Sequence, residues 1–447
     1  MAGGTWTTQN KRRPGVYIRF RSEGEPTAAA GERGTAALCE PLSWGPVGVI
    51  QTLEAGADPV PATGYAATDP KNRFLTELFK GSDRTAPPKR VLLYRPAATG
   101  SASASAQLGE GALTVTAAYP GVRGNDITVT VSAEAEPDNT FLVSTLVDGT
   151  VEDVQQVTAV SGLKANAWVS FGGAGPLSAS SGLPLTGGLD GTVAAAAYAE
   201  FLEALEPHAF DVLIYDGADA TVQQAMAAFV RRLAEESGKY AQLVTANMAA
   251  PNSQYVINVA SGVTLSDGTA LTPQQTVWWV GGAQAGALYN QSLTYGVYPG
   301  AVSVSPLLTD SQISQGLQSG KLLLSAEEGE VRVEEDINSL TTFTPDIGEV
   351  FRYNRTMRLC AALANDIYRS FRRDFIGLVN NNESGRAQFK ARIVGYLLEM
   401  QAAQAIQNFT PEDVEVLPGA DAVSVVVNVA VQVVGSIEKI YVTISVR

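Results

Sequence analysis

One histidine and two cysteines bound the chemistry open to this 447-residue chain. His208, in EPHAFDVLIYD, has to serve any His-dependent mechanism, so a His-rich metal site is excluded. A Ser/His/Asp arrangement would need the same residue, no G-x-S-x-G elbow occurs, and nothing places a serine beside it. At an apparent helix-to-strand junction, His208 reads as a capping or packing residue. Cys39 (AALCEPL) and Cys360 (MRLCAAL) lie in the apolar contexts that bury free thiols. GLQSGKL at 316–322 resembles a phosphate loop, but it is one residue short between its glycines and has no Ser/Thr after Lys321. It reads as a surface turn. The acids Glu327, Glu328, Glu330, Glu334, Glu335 and Asp336 are the right ligands for a divalent cation, yet strand spacing scatters them over both faces, which predicts a solvated hairpin. Trp278 and Trp279, in the apolar helix TVWWVGGAQAGAL, are expected in a core. No catalytic residue, cofactor or metal is assigned, and an enzyme is not expected.

A binding chemistry is better represented than a catalytic one. A helix is predicted from about Glu349 to Phe375. At about 100° per residue, Tyr353, Met357, Cys360, Ala361, Ala364, Ile367, Tyr368 and Phe371 form one apolar stripe. Arg352, Arg355, Arg358, Arg369, Arg372 and Arg373 occupy the opposite arc, offset only by Asp366 and Asp374. In a chain of net charge −14 that basic face predicts a docking surface, with a solvated helix of local Arg–acid pairs as the plainer reading.

The elements that carry these residues divide the chain. RPGVYIRF reads as a short strand in which Val16, Ile18 and Phe20 alternate with Tyr17 and Arg19, between polar, glycine-rich linkers. Residues 35–95 read as a small α/β unit and, beyond the Ser/Ala-rich PAATGSASASA, short alternating strands up to LTGGLDG predict a β-sandwich or barrel. From Ala194, helices alternate with apolar strands, the signature of an α/β layer with a partly parallel sheet. Two long helices then precede DAVSVVVNVAVQVV and IEKIYVTISVR, whose Ile440, Tyr441, Val442, Ile444 and Val446 form a second β-rich run. The chain thus begins and ends in extended apolar segments without an evident local partner, and unpaired strand edges of this kind require a dedicated partner. Charge divides likewise: residues 1–22 hold five basic residues and no acid, while 411–447 hold five acids against Lys439 and Arg447. With 45% hydrophobic and 17% charged residues the composition is globular; the acidic balance disfavours nucleic acid, and no apolar run is long enough for direct membrane insertion. No secretory signal is read, so folding in the cytoplasm is the default expectation.

Six segments, in order, resemble the contractile phage tail sheath family, in its Bacillus-type defective-prophage and bacteriocin-like branch: RPGVYIRF (13–20), YPGVRGNDITV (119–129), LTGGLDG (185–191), INSLTTF (337–343), FIGLVNNNESGRAQFKARIVGYLLEM (375–400) and the C-terminal run from DVEVLPGADAV onward. The resemblance implies a structural subunit that stacks as hexameric rings around an inner tail tube and contracts to drive the tube through an envelope. Partners implied are further copies of the chain, the tube protein, and baseplate and tail terminator proteins, in a virion tail or released contractile particle. It also implies that the terminal arms add strands to neighbouring subunits, which gives Val16, Tyr17, Ile18, Phe20, Ile440, Tyr441, Val442, Ile444 and Val446 an inter-subunit role. The C-terminal domain would lie innermost, giving Arg355, Arg358, Arg369, Arg372 and Arg373 a tube-facing role.

The expected fold is mixed α+β and multidomain: an N-terminal arm (1–25), a body domain in two parts (26–97 and 192–345), an inserted β-sandwich-like domain (98–191), a C-terminal α+β domain (346–434) and a C-terminal arm strand (435–447). Two other classes stay open on the residues alone. A non-contractile β-rich binding or adhesion protein is suggested by residues 110–190, and an α/β hydrolase-like enzyme by the α/β layer. An inner tube subunit fits the length poorly.

Overall fold

The computed structural model describes residues 2–4, 15–17, 33–109, 112–134 and 139–443, the side chains of 2–4, 15–17 and 368–372 excepted. The chain packs as two compact units, one of Glu32–Asn365 with Gly435–Arg447, the other of Met1–Gly31 with Asp366–Val434.

The larger unit is built on a seven-stranded sheet in the order Lys321–Leu322, Val256–Val259, Gln242–Ala246, Val212–Ile214, Thr35–Cys39, Arg90–Tyr94, Ile50–Glu54. All neighbours are parallel except the last pair. Its inner strands read as nearly continuous apolar runs (TAALC, RVLLY, VINV) because helices cover both faces there, while the edge strand Ile50–Glu54 keeps exposed positions. On one face lies the helix Pro273–Gly286, started by a Thr272–Gln275 capping box and Pro273. Trp278 and Trp279 are both core, as expected: Trp279 stacks on Tyr298 with ring centroids 4.1 Å apart, and its indole N–H donates to Gly81 O. Ala195–Leu205 and Ala220–Ser237 cover the other face through Phe201, Leu205, Met226, Val230 and Leu233.

The inserted domain is a β-sandwich, as its alternating pattern predicts. Its sheets order as Thr150–Val157, Phe141–Val147, Ile127–Ala133, Ser180–Pro184 and as Val169–Gly172, Leu113–Ala117, Ser105–Leu108. The chain enters and leaves side by side, Thr99 and Thr192 exchanging backbone hydrogen bonds of 2.9 and 3.0 Å. The sandwich is plugged by a residue from outside it: Trp44 sits in its core against Trp168 and edge-on to Tyr119. Arg123 adds a second tie, donating to Gly64 O across the junction and to Asp126 and Asp148 within the domain. Gly121 (φ 135°) has to be glycine, because a Cβ there would lie 2.0 Å from Ser43 O.

In the smaller unit the helix Glu383–Ala402 buries Phe389, Ile393, Tyr396, Leu397 and Met400 and packs on the hairpin Val414–Pro418/Val425–Val429. Tyr396 donates its hydroxyl to Asp366 at 2.7 Å. The expected lone strand has a partner in its own chain: Gly15–Tyr17 pairs in parallel with Ala2–Gly4. The Ala2–Gly4 side is the tripeptide Ala-Gly-Gly, which carries no hydrophobic alternation, and so the sequence did not announce the pair.

Candidate functional site

The long helix Asn354–Asp374 starts at a junction assembled from four places in the chain. The hairpin Leu324–Glu327/Glu330–Val333 leads into a buried segment, Asp336–Ser339. That segment is stitched to the helix start by Asn354 N donating to Asp336 O (3.0 Å) and Asn338 N donating to Arg352 O (2.9 Å). Asn354 and Arg358 are one helical turn apart and so share a face. Both reach the Asp336 carboxylate. Oδ1 accepts from Gln284 Nε2 (2.6 Å) and Asn354 Nδ2 (2.8 Å), and Oδ2 accepts from Leu293 N (2.9 Å) and Arg358 Nη2 (2.8 Å). Arg358 also donates to Gln291 O and to Gln284 Oε1. Burial alone would raise the Asp336 carboxyl, but Arg358 and the N–H donors outweigh it and hold its pKa below the ordinary value.

This corrects two expectations. Arg358 is not presented to a partner: it is 1% exposed and ion-paired to Asp336. Nor is the acidic run wholly a solvated hairpin, since Glu335 and Asp336 are buried and pair with Arg352 and Arg358. The wheel failed because Leu359, Ala362 and Asp366 are buried as well as Met357 and Ala361, so the first half of the helix is enclosed on the arc that reads as basic. The signal that was available is MRLCAA, a single charge inside an apolar helical run, which requires a buried counter-ion.

The other candidates are distributed as follows. Arg355 is half-buried, its pKa lowered by burial and by Arg358, with Glu438 acting against them. Arg373 is exposed and bonds Asp374, while the side chains of Arg369 and Arg372 lie outside the described residues. Val16 and Tyr17 lie in the parallel strand pair; Ile18 and Phe20 lie outside the described residues. Ile440, Tyr441 and Val442 are exposed (73–91%) and in no strand, and Ile444 and Val446 lie outside the described residues. Glu438 is held: Thr294 Oγ1 donates to its Oε1 at 2.9 Å. His208 sits exposed in a turn after the helix Ala195–Leu205, and Cys39 and Cys360 are free thiols. GLQSGKL spans a helix end and a turn into the strand Lys321–Leu322. Among the described residues no group of three or more His, Cys, Asp or Glu is placed to hold a metal, and no helix is long and apolar enough to cross a membrane.

Three family models match consecutive stretches: the phage tail sheath β-sandwich domain over residues 97–190, the sheath central domain over 191–339 and the sheath C-terminal domain over 346–447. The phage-like element PBSX protein XkdK of Bacillus subtilis (strain 168) is 35% identical over 476 aligned residues that cover 100% of both chains. The crystal structure of a sheath tail protein from Desulfitobacterium hafniense superposes with a TM-score of 0.85 at 40% identity, covering 96% of this chain and 99% of that one. The helical sheath of the anti-feeding prophage in its contracted state shares the fold, with a TM-score of 0.58 at 13% identity over 97% and 99% of the two chains.

Proposed function

The chain belongs to the phage tail sheath family of the Bacillus prophage type, and from that premise we propose how it works as a contractile sheath subunit. The observation that carries the reading is an apolar C-terminal segment, Ile440–Val442, exposed and outside any strand, on a chain whose three sheath domains match in order. A donor segment and a different acceptor surface make heterologous contacts, which close into rings or propagate as open helices. Copies of the chain stack as hexameric rings around an inner tube, and the arms add strands to neighbours, with Val16, Tyr17, Ile18 and Phe20 at one end and Ile440, Tyr441, Val442, Ile444 and Val446 at the other. Contraction needs no nucleotide and no catalytic group. An extended lattice trapped behind a barrier releases free energy when body domains repack, while the strand-paired arms keep the lattice continuous. Arg355, Arg369, Arg372 and Arg373 supply positive charge toward the tube, and charge complementarity sets register while yielding when subunits move outward. Baseplate and terminator proteins cap the polymer ends, and the subunit folds in the bacterial cytoplasm before joining the particle.

The test is a pair of deletions, residues 1–22 and residues 436–447. Each truncated chain is expected to keep its circular dichroism and lose polymers in sedimentation and electron microscopy. Intact polymers from both deletions would overturn the strand-exchange reading.

A further inference from the structure

We propose that Glu438 is the anchor that fixes where the C-terminal arm leaves the body of its own subunit. The described residues from Gly435 to Thr443 are in no strand, and Ile437, Ile440, Tyr441 and Val442 around Glu438 are exposed. Nothing apolar holds it. Glu438 is the exception: its Oε1 accepts from Thr294 Oγ1 at 2.9 Å and from Ser436 Oγ at 3.0 Å.

Thr294 is fully committed at that point. Its hydroxyl donates to Glu438 and accepts from Asp336 N (2.9 Å) and Ser292 Oγ (3.1 Å). The arm is therefore tied, one residue removed, to the buried junction that starts the long helix. A hydroxyl whose hydrogen is directed by two other donors is a pre-oriented partner, and a bond to a carboxylate is stronger than one between neutral groups. The anchor is only part-buried, with Glu438 still reached by water, so it restrains without being permanent.

The consequence for assembly rests on the sheath reading. An arm hinged at a fixed point samples a small volume, which raises the effective concentration of Ile440–Val442 at a neighbour's strand edge and lowers the ordering cost of capture. Glu438 is thus a positioning residue: it makes none of the inter-subunit ladder but aims the strand that does.

Lys439 supplies a direct readout, because it is the single Lys or Arg between Arg392 and the terminal Arg447. Trypsin cleavage after Lys439 in the dilute, unassembled full-length chain, followed by mass spectrometry, reports how freely the arm moves. Thr294→Val is expected to speed cleavage about fivefold, the loss of one charge-assisted hydrogen bond, and Thr294→Ser to leave it unchanged. Glu438→Gln is expected to speed it similarly once normalised to synthetic peptides spanning 433–444 with and without the change, which removes trypsin's own preference. If Thr294→Val does not fold, Glu438→Gln decides alone. Unchanged normalised cleavage in the folded variants overturns the anchor, whatever the polymers do. A chain that never polymerises but shows the cleavage effect keeps the anchor and overturns the sheath reading instead. For a polymerising chain, Glu438→Gln is expected to raise the concentration needed for assembly severalfold with polymer width unchanged.

Discussion

Asp336 and Arg358 form an ion pair of 2.8 Å in which both side chains are 1% exposed, and every lone-pair direction of the carboxylate is occupied by an N–H donor. Removing one member leaves the other charge buried and uncompensated. Asp336→Ala is expected to destabilise the chain by about 3–5 kcal/mol in urea unfolding, and Arg358→Ala by a similar amount. The double change Asp336→Leu, Arg358→Met is expected to cost clearly less than the sum, since no orphan charge remains. Additive losses would contradict the pairing.

A second pair, of two carboxyls, predicts the pH profile: Glu40 is buried and Asp216 partly so. Glu40 and Asp216 lie just past the carboxyl ends of the adjacent parallel strands Thr35–Cys39 and Val212–Ile214. Burial pushes Glu40 well above its ordinary value, Asp216's charge and their hydrogen bond adding to it; burial likewise raises Asp216, against the Trp278 indole N–H that donates to it at 2.9 Å. Carboxyls raised on folding stabilise fully below their unfolded values near pH 4, and that stability is lost as pH rises through the folded values. Asp336, lowered on folding, has the opposite sign: its contribution is present above about pH 4 and is lost on acidification. Glu40→Gln should flatten the alkaline limb of stability against pH and leave the acid limb, measured by thermal unfolding across pH; an unchanged alkaline limb would contradict a Glu40 carboxyl raised on folding.

Trp44 is donated by the body to the sandwich core, so its loss should be felt across the junction. Trp44→Ala is expected to cost about 3–5 kcal/mol and to raise amide exchange in Leu113–Ala117 and Val169–Gly172 more than in Thr35–Cys39. Equal loosening of all three strands would contradict the plug.

These relationships mark what the sequence could and could not disclose. Strands and helices with strong periodicity were legible: the sandwich coincides with its alternating runs, and both tryptophans with a core. The Asp336–Arg358 pair was not, because its members are 22 residues apart and their other partners, Gln284 and Leu293, come from yet another segment. Helical spacing ranks faces by hydrophobicity, and it assigns a buried arginine to the wet side unless its counter-ion is known. At the C-terminal end the exposed Ile440–Val442 was legible for the opposite reason, since an apolar run with no local partner is visible in one dimension, whereas the pairing of Gly15–Tyr17 with Ala2–Gly4 was not.

The basic end of the long helix is tested by charge reversal. Arg369→Glu, Arg372→Glu and Arg373→Glu together are expected to abolish co-assembly with the tube protein at low salt and to leave sheath polymers intact in sedimentation. Undiminished tube binding would contradict the electrostatic contact. Arg358 is left out of this set because it is buried.

Electron microscopy of the purified full-length chain bears most directly on the central claim. Hollow polymers of uniform width with sixfold-symmetric cross-sections are the expected result, appearing without nucleotide or metal. A monodisperse monomer at every concentration, with or without the tube protein, would contradict it.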